Sequence, residues 1–426
     1  MSCTSERGFK SRIHAMLQIG LLACVVFSFS TLGLAQAGTL DPTFANHGIF
    51  KTNFANCCGG VSAVALQSDG KILVGGQVTP SRTVGSILRL NTNGSVDTTF
   101  GSGGMVTVTL GSIGANIGGL AVQTDGKIVA SVSGIFVARG EFVRFDPNGS
   151  VDTSFGTNGF VTISGLFPTG PVVLQPDGKI LVAGKEDLSG LLARLDSNGH
   201  LDSSFGSGGI AVVLEPASQL VLLSNGQLLV SSASSPFQGV TRYNANGSVD
   251  RTFGSLGQAA SVDAPVTLVA QSNGAIVAAG VSVTGVAAPT IFTGNPTGFG
   301  LTRFLSAGGI DTTFGTKGGV ITAFPTFNFG GVAAIAFQTN GDIVAAGQAG
   351  LANQNQNSSS FALARYLSSG QLDSTFGSGG RVTHTFGSTN VAFIAAMAIQ
   401  IDGKIVVAGP TGDSMGNIAV ARYLAQ

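Results

Sequence analysis

Apolar residues along this chain fall in short runs, often β-branched, cut apart by Gly, Asn, Asp and Ser. In one representative stretch four such runs follow each other: Gly118-Gly-Leu-Ala-Val-Gln123, Lys127-Ile-Val-Ala-Ser131, Glu141-Phe-Val-Arg-Phe145 and Gly159-Phe-Val-Thr-Ile163. Runs of this length bounded by turn residues predict β-strands, and no sustained helical period competes with them downstream of residue 37. Asp125-Gly126 separates the first two runs, where the spacing predicts a tight hairpin with a primed turn. Asn148-Gly149 opens the connection between the third and fourth.

The stretch is one copy of a repeat. An Asp-x-x-Phe phrase occurs seven times, at Asp41, Asp97, Asp152, Asp202, Asp250, Asp311 and Asp373. An Asp/Asn-Gly phrase also occurs seven times, from Asp69-Gly70 to Asp402-Gly403. So does an Arg followed by an apolar or aromatic residue, at Arg89, Arg144, Arg194, Arg242, Arg303, Arg365 and Arg422. Four strands per unit at intervals of 48 to 62 residues predict an all-β, seven-bladed β-propeller with four antiparallel strands per blade. An open β-solenoid is the alternative, disfavoured by spacing this irregular. The phrase order also predicts how the ring closes. The chain after the leader begins with an Asp-x-x-Phe phrase and a strand over Ile49–Phe54, and ends after a third-strand phrase. The N-terminal strand is therefore expected to complete the C-terminal blade, whose other strands lie in Val391–Tyr423.

The first 37 residues follow a different pattern. Arg7, Lys10 and Arg12 precede an apolar run from Ala15 to Leu34, and Ala35-Gln36-Ala37 is a small-x-small triplet. This is the layout of a secretory signal peptide, with cleavage expected at Ala37-Gly38 and a single propeller domain over 38–426. An uncleaved membrane anchor and a lipoprotein box at Leu21-Leu22-Ala23-Cys24 are the other readings of the segment. Secretion or a periplasmic location follows from the first, with no membrane contact after cleavage.

Composition narrows the function. Charged residues make up only 10% of the 426, against about 25% in ordinary soluble domains, and the net charge is zero. No basic stripe exists for nucleic acid. Two adjacent cysteines, Cys57 and Cys58, remain after the leader, and neighbours in sequence suit neither ordinary disulfide geometry nor zinc. The Asp146–Asp152 turn faintly resembles a calcium loop but lacks an intermediate ligand. No metal or cofactor is expected.

The quoted phrases resemble the delta-60 repeat found in exported bacterial proteins: Ala-x-x-Gln-x-Asp-Gly-Lys-Ile-Val, an Arg-Tyr strand, and Asn-Gly-Ser-Val-Asp-x-Thr-Phe-Gly-x-x-Gly. The resemblance spans essentially everything after the leader and implies a β-propeller, distantly similar to NHL-type propellers that bind partners. It implies no activity. Departures are local: Gln227, Ala275 and Asp342 replace the usual Lys, and Leu223 the usual Gln.

Residues repeated in every blade are expected to be structural. This covers Arg89, Asp97 and Phe100, Arg144, Asp152 and Phe155, and Arg365, Asp373 and Phe376, with each Arg satisfied by an Asp and each Phe packed between blades. For ligand binding the positional clue is loop length. The long connections Ser282–Gly300, Phe324–Gly331 and Gln348–Ser360 are expected on one face, presenting Phe292, Phe299, Phe327 and Phe329, with Gln354–Asn357 as a flexible tip. His47, His200 and His384 sit in different repeats, and no catalytic motif is present. The resulting expectation is a monomeric, non-enzymatic scaffold binding a protein or cell-surface polymer. The competing one is a lyase or hydrolase acting on polysaccharide at the central channel.

Overall fold

In the computed structural model, the described residues run from 36 to 426, apart from 53–59, 79–83, 111–113, 135–139, 187–188, 215, 233–238, 261–263, 282–297, 354–355, 388–390 and 413–416. The leader through residue 35, Cys57, Cys58 and Phe292 therefore lie outside the described residues. The remainder is all-β, with seven four-stranded antiparallel sheets and no helix among the described residues.

Each sheet is a blade. Its first strand is innermost: Gly60–Leu66, Ala115–Val122, Phe167–Leu174, Gln219–Leu222, Ala264–Ala270, Phe329–Phe337 and Ala396–Ile399 in blades 1 to 7. Each of these touches the first strands of both neighbouring blades, and blade 7 returns to blade 1, so the ring is closed.

Burial follows position in the blade. Second and third strands such as Ile72–Gln77 and Gly85–Leu90 are buried along almost their whole length, because both faces of the sheet meet another blade. Outer strands such as Met105–Val108 alternate, with one face toward the neighbouring blade and the other toward water. Seven separate apolar clusters result, one at each blade–blade interface.

The first hairpin differs from the primed turn expected of Asp-Gly. Gly70 N–H donates to the Gln67 carbonyl at 2.9 Å, and Gln67 N–H to the Lys71 carbonyl at 2.9 Å. Only Gly70 has a positive φ, +82°, so the loop has three residues with glycine in the left-handed third position. Asp69 Oδ1 accepts from Lys71 N–H at 3.1 Å and fixes the turn from the side. Glycines within the second strands have another cause. A Cβ on Gly347 would sit 2.0 Å from the Gly331 carbonyl oxygen, and one on Gly409 would sit 1.8 Å from that of Phe393.

Closure follows the expected topology, and Asn53 and Phe54 of the expected strand lie outside the described residues. Ile49–Lys51 pairs with Asn417–Tyr423 as the fourth strand of blade 7, in the register Ile49↔Ala421, Phe50↔Val420 and Lys51↔Ala419. Thr52 extends it by two bonds: its N–H donates to the Ile418 carbonyl at 3.0 Å, and its Oγ1 accepts from Ile418 N–H at 2.9 Å. Of the tip expected at Gln354–Asn357 in blade 6, Gln354 and Asn355 lie outside the described residues, while Gln356 and Asn357 are strand residues. The second and third strands of this blade, Ile343–Asn353 and Gln356–Tyr366, continue in unbroken register to Asn353↔Gln356. Val391 bridges to Ser359 of this long hairpin, and Ser359 Oγ donates to the Ala392 carbonyl at 2.9 Å. Ser358 to Ser360 are thus strand residues, and Ser359 holds the next blade.

Removing residues 38–52 exposes the edge of Asn417–Tyr423 and deletes both Asp41 and Phe44 from the ring. We expect this deletion to abolish the single cooperative transition in differential scanning calorimetry. An unchanged melting profile would show that the closing strand is dispensable.

Candidate functional site

Chemistry in this ring is concentrated in the residues repeated by every blade. In blades 1 to 6 the Arg projects from a third strand and meets the Asp eight residues later, after the turn has reversed the chain, while in blade 7 Arg422 meets Asp41 from the other end of the ring. Arg89 Nε donates to Asp97 Oδ2 at 2.8 Å, Arg144 to Asp152 at 2.6 Å, and Arg365 to Asp373 at 2.7 Å. The guanidinium then reaches across the interface. Nη1 of Arg89, Arg144 and Arg365 donates to the carbonyls of Pro147, Ser197 and Ala425 in the next blade. Beneath it lies the Phe of its own blade, with guanidinium-to-centroid distances of 4.3 Å over Phe100, 4.5 Å over Phe155 and 4.8 Å over Phe376. Those three rings have no exposed surface and sit in the cluster shared with the following blade.

The Asp carboxylates are equally occupied. Asp97 Oδ1 accepts from both the N–H and the hydroxyl of Thr99, at 3.1 and 2.6 Å. The same pair of bonds occurs in every blade, on Thr43, Thr99, Ser154, Ser204, Thr252, Thr313 and Thr375. This hydroxyl was readable in the sequence, since all seven phrases are Asp-x-Thr/Ser-Phe. The Lys after Asp-Gly adds a second cation: Lys127 Nζ lies 2.8 Å from Asp152 Oδ2, and Lys179 Nζ 2.9 Å from Asp202 Oδ2. In blade 4 the amide of Gln227 takes that place at 2.8 Å from Asp250. The Thr99 hydroxyl, with help from Lys71 and Arg89 and against the effect of burial, holds Asp97 far below the usual carboxylate range. Asp250 is pushed down to about 2, chiefly by the Thr252 hydroxyl and then by its N–H and Arg242, again against burial.

Other candidates for chemistry are similarly committed. Tyr366 Oη donates to Thr322 Oγ1 at 2.8 Å and Tyr243 Oη accepts from Leu214 N–H at 3.1 Å, both rings being buried. His47 belongs to the turn before the closing strand, His200 to an exposed turn of blade 3, and His384 to the outer strand of blade 6. Burial lowers the His384 pKa and favours its neutral form. In the Asp146–Asp152 turn, Asn148 Oδ1 accepts from Ser150 N–H and hydroxyl at 2.9 and 2.7 Å, an ordinary side-chain cap. Among the described residues, no group of three His, Cys, Asp or Glu is placed to hold a metal ion.

Two faces remain. On the face of the short turns, a groove of about 710 Å³ runs between blades 7 and 1, bordered by Leu66, Gln67, Thr92, Ile401, Lys404 and Arg422. A second, of about 470 Å³, lies between blades 5 and 6, where Ala275 stands at the position of the usual Lys. The opposite face carries the second-to-third and outer-to-inner connections. Of the four Phe expected there, Phe292 lies outside the described residues and Phe299 does not reach the surface. Phe299 is fully buried and packs edge-on against Phe324, centroids 4.7 Å apart, inside the cluster between blades 5 and 6. Phe327 is half-buried against the same cluster, and Phe329 is half-buried in an inner strand paired with Gly350.

The inner strands give the clearest chemical reading. Among their described residues there is no Asp, Glu, Lys, Arg, His, Cys or Tyr; Ala, Gly and Val predominate.

Seven four-stranded sheets in a closed ring, each carrying the same Arg–Asp–Phe unit, define a β-propeller repeat protein. Five segments, 67–100, 123–155, 175–205, 223–253 and 338–376, match the family model described as a domain of unknown function (DUF5122) beta-propeller. They fall on blades 1 to 4 and 6. Blade 5 carries the long 282–297 connection, and blade 7 is divided between the two ends of the chain. No match was found among curated proteins. Among solved structures the chain is similar to virginiamycin B lyase from Staphylococcus aureus, at 13% identity over 87% of this chain and 98% of that one, with a TM-score of 0.52. It is also similar to a Trichoderma reesei carbohydrate-active enzyme of family AA12, at 14% identity over 90% and 97% of the two chains, TM-score 0.38. At such identities the likeness to the lyase is one of fold.

Arg365→Met leaves buried Asp373 without its cation and should destabilise the protein by about 3–5 kcal/mol in urea unfolding. Asp342→Lys restores the missing second cation beside Asp373 and should stabilise it by about 0.5–1 kcal/mol. Opposite signs for both variants would overturn this account of the network. The depressed Asp pKa values make stability pH-dependent. A carboxylate with a folded value below its unfolded one contributes fully above the ordinary value and loses that contribution as pH falls through the folded one. For Asp250 the loss runs from near 3.8 down to about 2. Melting temperature should therefore drop steeply from pH 4 to pH 2, and a flat response there would refute the assignment.

Proposed function

We propose that this protein is an exported, non-enzymatic β-propeller of the delta-60 kind, acting as a monomeric scaffold that binds a protein or cell-surface polymer. The observation that carries this reading is the chemistry of the seven inner strands. Propeller catalysis at a central channel needs groups that transfer protons or attack a substrate, and these strands supply none among the described residues. The Arg and Asp side chains that could have served are held in the ring, and Tyr243 and Tyr366 are bonded inside the core. The seven-fold scaffold supports connections of very different length on one face, which is how repeat proteins acquire individual binding surfaces.

On this reading the 282–297 connection and the long hairpin of blade 6 are the elements that distinguish this propeller's binding face. Leader cleavage frees the scaffold from the membrane.

The test is a pull-down and glycan-array comparison of the full protein with a variant lacking residues 284–296, which stops short of the inward-packed Phe299. Loss of at least tenfold in binding, with an unchanged melting temperature, is expected. Equal binding by both proteins would eliminate this connection as the binding element. Turnover of a polysaccharide by the intact protein would replace the scaffold reading altogether.

A further inference from the structure

The last turn of the ring is assembled from both ends of the chain. In blade 1 the turn reads Asn91-Thr92-Asn93-Gly94-Ser95. There Gly94 N–H donates to the Asn91 carbonyl at 2.9 Å and Asn91 N–H to the Ser95 carbonyl at 2.8 Å. In blade 7 the same two bonds join separate segments: Gly38 N–H to the Leu424 carbonyl at 2.8 Å, and Leu424 N–H to the Thr39 carbonyl at 2.9 Å. Ala425 occupies the place of Thr92, because its carbonyl accepts Arg365 Nη1 as the Thr92 carbonyl accepts that of Arg422.

Ala37 then occupies the place of Asn93. The Asn93 carbonyl accepts Ala45 N–H at 2.6 Å, and the carbonyls of Asn148, Asn198, Asn246, Ala307 and Ser369 accept the N–H of the Gly after Phe in the preceding blade. The Ala37 carbonyl does the same for Gly377 N–H at 2.8 Å. Its side chain is buried, only 7% exposed, in the cluster that holds Phe376 and Tyr423. Gln36 adds a bond of its own, from Nε2 to the Gly377 carbonyl at 2.8 Å, and its backbone carbonyl accepts Thr39 N–H at 3.0 Å.

A leader cut between Ala37 and Gly38 would discard both residues and leave one blade of seven without the backbone bond to the residue after Phe that the other six make. Two residues upstream, Gly33-Leu34-Ala35 is also a small-x-small triplet, at the end of the apolar run. We infer that processing occurs at the Ala35–Gln36 bond, so that Gln36 and Ala37 stay with the mature propeller as part of its closing turn. This rests on the export reading and places the cut two residues before the Ala37-Gly38 boundary expected from the sequence.

The test is intact mass and N-terminal peptide mapping of the full-length gene product, recovered from the exported fraction of a bacterial host. A chain beginning at Gln36, as glutamine or as its cyclised form after loss of ammonia, is the expected result. Any other processed start, Gly38 above all, overturns the site while leaving export intact. A chain still beginning at Met1 removes the export reading and this inference with it. The variant Gly33→Tyr separates the two cleavage registers. It places a bulky residue three positions before an Ala35–Gln36 cut, but four residues before Ala37. At least tenfold accumulation of precursor is expected, and unaltered processing of this variant would overturn the proposal.

Discussion

The guanidinium of the repeated arginine is the interaction on which the ring depends. One group meets three demands at once: an ion pair to the Asp of its own blade, a flat contact with the Phe below, and a hydrogen bond to a turn carbonyl of the next blade. Buried arginine is costly without partners, and here every partner is supplied by a different local element. The third strand places the Arg, the turn after it places the Asp, the short loop before the outer strand places the Phe, and the adjacent blade offers the carbonyl. The pair therefore couples the internal geometry of each blade to the position of its neighbour. A chain with no Trp and few charges can thus hold seven sheets in register.

Much of this was legible because the unit is written seven times. Asp-x-x-Phe, Asp/Asn-Gly and the strand Arg recur at matching places, and repetition separates positions under a common structural demand from those that vary. The order of the phrases at the two ends was enough to infer closure by a strand over Ile49–Phe54, of which Ile49–Lys51 is formed. Finer features escaped because several geometries suit the same residues. Asp-Gly fits both a two-residue primed loop and the observed three-residue one, which differ in which residue takes positive φ. Gln356 through Ser360 lack strand-forming side chains, yet the register begun at Ile343↔Tyr366 carries them along.

The candidate binding face was the least legible part. Loop length indicates which connections are unusual but not the direction of the side chains within them. Phe299 shows why. As the second residue of strand Gly298–Phe304 its orientation is set by the strand's register, and that register turns the ring inward onto Phe324. The functional reading accordingly rests on what the inner strands lack and on where the insertions fall, both visible at the level of whole elements.

The divided turn of blade 7 gives the ring a distinct folding economy. In blade 1 the ion pair joins residues 8 apart, whereas Arg422 and Asp41 are 381 apart. Made from a flexible chain, the second contact costs about 3 kcal/mol more in loop entropy than the first, although its geometry is the same. Six blades can therefore condense locally, while the seventh must wait for the ends to meet. The same asymmetry acts in reverse in the native ring: the seam is the joint at which a full turn can open without any covalent link restraining it. The molecule thus has seven nearly equal blade–blade interfaces, and its kinetically soft joint lies inside blade 7, between Ile49–Lys51 and Asn417–Tyr423.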